Sequence, residues 1–73
     1  MRRLNPKKLL LSKWTAVHPQ HREKHFLVVQ VANESTPLAE RDLLVLEAVI
    51  TKRQYRLDWH DLLNESTWRQ GWC

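Results

Sequence analysis

The sequence predicts a mainly β domain, a small four-stranded antiparallel meander with short helical turns at its C-terminus. Three observations carry that expectation. Tyr55-Arg56-Leu57-Asp58-Trp59 alternates strictly between apolar and polar side chains, the period of a half-buried strand. His25–Ala32 is rich in β-branched and aromatic residues, with Phe26 and Val28 on one face and Leu27, Val29 and Val31 on the other, as in a central strand. The 73 residues hold one glycine and three prolines, with no repeat or flexible linker, so one domain accounts for them. Closure into an SH3-like barrel is the architecture we expect.

The remaining elements follow in order. Residues 1–8 read as a basic N-terminal arm and 9–73 as a single tryptophan-rich β domain. Ser12–Val17 is expected as a short first strand, stopped by Pro19. Leu43–Thr51 is expected as a strand that places Leu44, Leu46, Ala48 and Ile50 on one face, the alternative being a helix with Ala39, Leu43, Leu46 and Ile50 on one stripe. Thr36-Pro37 would start a helical turn inside 37–42. Thr51–Gln54 is short enough for a hairpin loop into the Tyr55 strand. His60–Leu63 suggests one helical turn, and Ser66–Gln70 a second that ends at Gly71.

So small a chain buries only about 60% of the surface its unfolded form exposes, which leaves a thin stability margin. A disulfide is excluded by the single cysteine, Cys73. The four tryptophans, Trp14, Trp59, Trp68 and Trp72, are the expected substitute, because each can bury ~150–250 Å². Cysteine poverty suits a reducing compartment. The basic start is followed only by Leu9-Leu10-Leu11, too short for a signal-peptide core, and a cytoplasmic location is expected.

Charge is unevenly placed. The net +4 divides into seven Lys/Arg against Glu23 in residues 1–32, and Arg41 against four acids in 33–48. A basic first third suits an anionic partner. Cations also flank aromatic residues: Lys13 beside Trp14, Arg53 and Arg56 around Tyr55, Arg69 after Trp68. Exposed rings stack on bases while Lys and Arg hold phosphates, the arrangement single-stranded nucleic acid needs. Alternation assigns Tyr55 and Trp59 to a buried face, and the i, i+4 pair Trp68 and Trp72 suits docking of a C-terminal turn. That leaves Trp14 or Trp72 as the expected exposed ring.

Two constellations could carry other chemistry. His18, His21 and His25 are spaced H-x2-H-x3-H, with His60 and Cys73 as further zinc-type ligands. No second Cys/His pair completes a cage, and no metal site is expected. Asp58 and His60 could form a carboxylate–imidazole pair for acid–base work. No nucleophile elbow or glycine-rich phosphate loop accompanies it, so no catalytic residue, cofactor or enzymatic activity is expected.

The runs Asn5-Pro6-Lys7-Lys8-Leu9-Leu10, Ser12-Lys13-Trp14-Thr15-Ala16, Glu23-Lys24-His25-Phe26, Leu46-Glu47-Ala48-Val49, Leu57-Asp58-Trp59 and Trp68-x-x-Gly71-Trp72 together resemble the small tryptophan-rich conserved hypothetical proteins of bacteria. The resemblance spans Asn5 to Trp72. It brings no activity, substrate or cofactor with it, and so assigns no catalytic residue. His18 and His21 fall between its motifs, and the acidic stretch Glu34–Asp42 is peculiar to this chain.

The sequence therefore leads to a small non-enzymatic binding module for RNA or single-stranded DNA. Arg2, Arg3, Lys7, Lys8, Lys13 and Trp14 are its expected contacts. The alternative is a protein-interaction domain that docks a peptide or partner subunit, with Trp72 at the contact. No membrane or small-molecule partner is expected.

Overall fold

A computed structural model describes residues 3–73. Five strands, β1 (Lys13–Gln20), β2 (Glu23–Gln30), β3 (Leu43–Ala48), β4 (Gln54–Asp58) and β5 (Trp68–Gln70), form one antiparallel sheet in the order β4-β3-β2-β1-β5. The mainly β antiparallel reading holds, and the strand around Phe26 is indeed the central one. Closure into a barrel does not occur: β4 and β5 remain as the two edges of an open sheet.

Register explains which residues are inside. Directly opposed side chains of an antiparallel pair share a face. Trp14, Phe26 and Ala48 form one cross-strand row, and Val28, Leu46 and Tyr55 another. These rows lie on the inner face, where Trp14, Val28, Leu46 and Ala48 are almost completely buried. The opposite parity, Lys13 with Leu27 and Thr15 with His25, makes the outer face. The alternation expected for β3 is present, with Leu44, Leu46 and Ala48 buried. Ile50 departs from it: it stands 69% exposed, because the chain has already turned. The hairpin closes through Lys52 N–H to Ala48 O, with Lys52 left-handed at φ 65°.

One end of the inner face is covered by two short 3-10 turns. The first, Pro6–Lys8, begins with the Asn5 side chain accepting from Lys7 N–H and delivers Leu9 into the core. The second, Trp59–Leu63, starts at Asp58, whose carboxylate caps His60 N–H, and buries Leu62 completely. This second turn is the one expected over His60–Leu63. A third 3-10 turn, Leu38–Glu40, falls within the span expected for one. Thr36 is not its cap; the Thr36 hydroxyl accepts from Asn33 N–H instead.

The sequence reading is corrected at three places. Pro19 does not stop β1, which continues to Gln20. The β1–β2 register shifts between Thr15 and Gln20, and at such an irregularity a residue without N–H forfeits no ladder bond. Ser66–Gln70 is not a second helical turn. Its first half is a turn held by Trp68 N–H to Asn64 O, and its second half is β5, paired with the free edge of β1. Leu11 N–H donates to Val28 O and Val28 N–H to Ser12 O, which ties the segment before β1 to β2. Finally, the core is largely aliphatic around Trp14 and Phe26, with Trp59 and Trp68 packed against it and Trp72 outside.

Trp14 is fully buried, and its indole N–H donates to Ser12 Oγ at 2.9 Å. Truncating a buried tryptophan to alanine costs about 3–5 kcal/mol, a large part of the stability of so small a domain. Trp14→Ala should therefore abolish or nearly abolish cooperative urea unfolding at room temperature. Trp72→Ala should retain a clear transition.

A second tie joins β2 to the β3–β4 hairpin. Glu23 is 4% exposed; its carboxylate accepts from the Tyr55 hydroxyl at 2.5 Å and from Thr51 Oγ1. These bonds, Thr51's first, hold its carboxyl below the ordinary 4.5. A depressed folded-state pKa contributes stability above the unfolded value and loses it as pH falls through the folded one. The stability gap between the wild type and Glu23→Gln should thus be open at neutral pH and narrow steadily below about pH 4.5, as read by urea midpoints across a pH series.

Candidate nucleic-acid interface

The outer face is organised by the chain's C-terminal residues. Gly71 takes a left-handed φ of 82°, a conformation open to glycine at little cost. Without that reversal, strand alternation would put Trp72 on the same face as Trp68. With it, the tail folds back over the outer face. Gly71 N–H donates to Lys13 O, the Thr15 hydroxyl donates to Gly71 O at 2.6 Å, and Cys73 N–H donates to Thr15 Oγ1. Thr15 is buried by this tail.

Trp72 is thereby fixed by its edge while its ring stays accessible. The indole N–H donates to Phe26 O at 3.0 Å, and the residue is 44% exposed. Lys13 Nζ lies 4.9 Å from the ring centroid, within cation–π range. His25 packs on it at a 6.0 Å centroid distance, and its Nε2 lies 2.9 Å from Cys73 O. Arg69 stands exposed opposite Thr15 on the same face.

Beside Trp72 runs a groove of about 480 Å³ lined by Arg3, Lys8, Lys13, Leu11 and Gly71 among others, and none of the described residues lining it is acidic. Three of the expected nucleic-acid contacts thus meet at one surface. The 3-10 turn sets Lys8, and a left-handed Leu11, φ 66°, bends the chain back so that Lys13 faces it. Leu11 is 64% exposed there.

The other expected contacts fall elsewhere. Trp14 also borders the groove, but its burial removes it as a stacking ring; the expectation of an exposed Trp14 is corrected, and Trp72 is the exposed one. Lys7 lines a separate cavity that also carries Glu34 and Asp42. Arg2 lies outside the described residues. The sequence reading missed the tail as the organiser of the face. Its signal is the lone glycine one residue before a tryptophan.

The histidine run does not converge. His25 joins the outer face, whereas His18 and His21 line a cavity against the inner face. Asp58 and His60 do meet, with Nδ1 2.6 Å from Oδ1. The Asp58 carboxyl lies below its ordinary range, chiefly because His60 N–H donates to it and then because the imidazole does. Asp42 comes within 4.8 Å of this pair, and its carboxylate accepts from Trp59 Nε1. These hydrogen bonds explain the cluster as a fastening of the Trp59–Leu63 turn to the start of β3.

The molecule is thus a small open-sheet domain with a basic groove and an anchored surface tryptophan. The chain belongs to the family described as Tryptophan-rich protein (DUF2389), whose model matches residues 12–73. That match bears out the resemblance drawn from the motifs and leaves the basic residues before Ser12 outside it. No curated protein and no solved structure matches the chain. Among the described residues no helix is long and apolar enough to cross a membrane.

Acrylamide quenching checks the tryptophan assignment. The wild type should show a readily quenched fraction that Trp72→Phe largely removes. Equal quenching of the two proteins would place the accessible ring elsewhere.

Proposed function

We propose that this protein is a non-enzymatic binding module for single-stranded nucleic acid, RNA first. The observation that carries this reading is the groove of Arg3, Lys8 and Lys13, with no acid among the described residues that line it, whose Lys13 also rests over the exposed Trp72 ring. Phosphates would follow the cations and a base would stack on the indole ring. Lys13 serves both, since its ammonium rests over the ring and can turn to a phosphate without leaving the site. The anchored indole N–H suits this role, because a fixed ring loses little freedom on stacking.

Titration of short single-stranded RNA, followed by tryptophan emission, tests it. With three cations engaged, the log–log salt dependence should have a slope of about −2, or roughly tenfold weaker binding for a threefold rise in salt. Alanine at Arg3, Lys8 and Lys13 together should flatten that slope. Trp72→Ala should cost about 1–3 kcal/mol of affinity at any salt. A flat titration at low salt overturns the reading. Salt-insensitive binding of a protein would instead favour a protein-interaction domain, for which exposed Leu10 and Leu11 beside the groove are the specific support.

A further inference from the structure

The opposite face holds a second cavity, between the side chains of both edge strands and the central one. The two 3-10 turns with Leu9 and Leu62 cover one end of the inner face. At the other end none of the elements formed by the described residues lies over it. There rings from both edge strands reach the central one. Trp68 of β5 meets Phe26 edge-on, with centroids 5.2 Å apart and planes at 87°. Tyr55 of β4 meets it from the other side at 6.1 Å and 66°. Phe26 is the floor of a bowl of about 490 Å³ whose walls include Trp68, Tyr55 and Leu57.

The bowl has one carboxylate in its wall, Glu23, which is 4% exposed. Its two oxygens accept from Tyr55 and Thr51 hydroxyls, which leaves lone pairs on each for a further donor. Arg53, on the same lining, supplies an opposing charge, and His18 and His21 also line it. Position decides between Glu23 and Arg53. Arg53 is exposed and screened by water, whereas Glu23 acts from within the wall, where effective dielectric is lower and interaction stronger.

We infer that the bowl formed by Phe26, Tyr55, Trp68 and Glu23 binds a small organic cation, an ammonium group carried on an apolar body. The ammonium sits against the rings and hydrogen-bonds to Glu23, and the apolar body fills the space beside Leu57 and Leu46. The volume is in the range of small-molecule sites, which are mostly apolar with a few fixed polar groups. This site is independent of the groove beside Trp72 and does not rest on nucleic-acid binding.

The test uses the full chain and three probes of one shape: phenethylamine as the cation, phenethyl alcohol as the neutral form and hydrocinnamate as the anion. Binding is followed by amide-proton NMR and by calorimetry. The amine should shift the Tyr55 and Trp68 signals and bind roughly tenfold more tightly than the alcohol or the anion, the worth of a hydrogen bond to a charged group. Glu23→Gln should erase the preference for the amine over the alcohol. Because that change also loosens the tie to Tyr55 and Thr51, Arg53→Ala carries the test separately. Removing this exposed cation should tighten the amine and weaken the anion. Equal affinity for amine and alcohol, absence of amine binding at millimolar concentration, or an Arg53→Ala variant that binds the amine less tightly would overturn the inference.

Discussion

A sheet with no helix laid across it must find some other cover for its apolar face. Domains are ordinarily built of two packed layers, and the described residues form one sheet and three short 3-10 turns. The contact on which everything else depends is therefore that of Phe26 with rings from both edges of its own sheet, Trp68 on one side and Tyr55 on the other. Edge-to-face pairs contribute about 0.5–1.5 kcal/mol beyond the area they bury. Their larger effect here is geometric. They bring rings from both edge strands over the central strand of an open sheet.

The same constraint explains why strands with strong alternation were readable and β5 was not. Leu44, Leu46 and Ala48, or Tyr55 and Leu57, declare a face at every second residue, and no long-range information is needed to see it. Trp68–Gln70 is three residues long, with a tryptophan at i, another at i+4 and a glycine between, which locally matches a helical turn with its cap. What makes it a strand is the unpaired edge of β1, over fifty positions away in the sequence, and the room for its ring beside Phe26. Trp14 was misplaced for a related reason. Between Lys13 and Thr15 it has polar neighbours, and only the row through Phe26 and Ala48 shows that its side of the strand is the inner one.

The candidate groove was legible in its parts and not in its assembly. Basic residues before Trp14 are plain in the composition, but the sequence treats Lys7 and Lys8 as equivalent. The 3-10 turn separates them, sending Lys7 to the side of Glu34 and Asp42 and Lys8 toward Lys13. The left-handed conformation of Leu11 was not legible at all. With one glycine in the chain, turns that need a positive φ fall on ordinary residues, and Leu11, His21, Arg22 and Lys52 take it. At roughly 1–2 kcal/mol each, these positions draw on an already thin margin. They concentrate at the ends of strands, where a tighter turn brings the next strand into register. The burial of Glu23 was not legible either, since nothing in Glu23-Lys24-His25-Phe26 reveals that Thr51 and Tyr55 fold back to it.

The two faces meet at one residue. The ring of Phe26 floors the aromatic bowl, and its carbonyl accepts the indole N–H that anchors Trp72 on the other side of the sheet. A backbone carbonyl on a central strand is among the least movable acceptors a small domain offers, because the ladders on both sides hold it in place. The surface tryptophan is thus tied to the most firmly held part of the fold, even though the residue that delivers it, Gly71, is near the end of the chain. This arrangement keeps the accessible ring in one orientation without committing its face to the core. It also divides five of the aromatic residues by position: Trp14 and Phe26 are buried in the core, Tyr55 and Trp68 pack on Phe26 from the two edge strands, and Trp72 keeps its ring accessible.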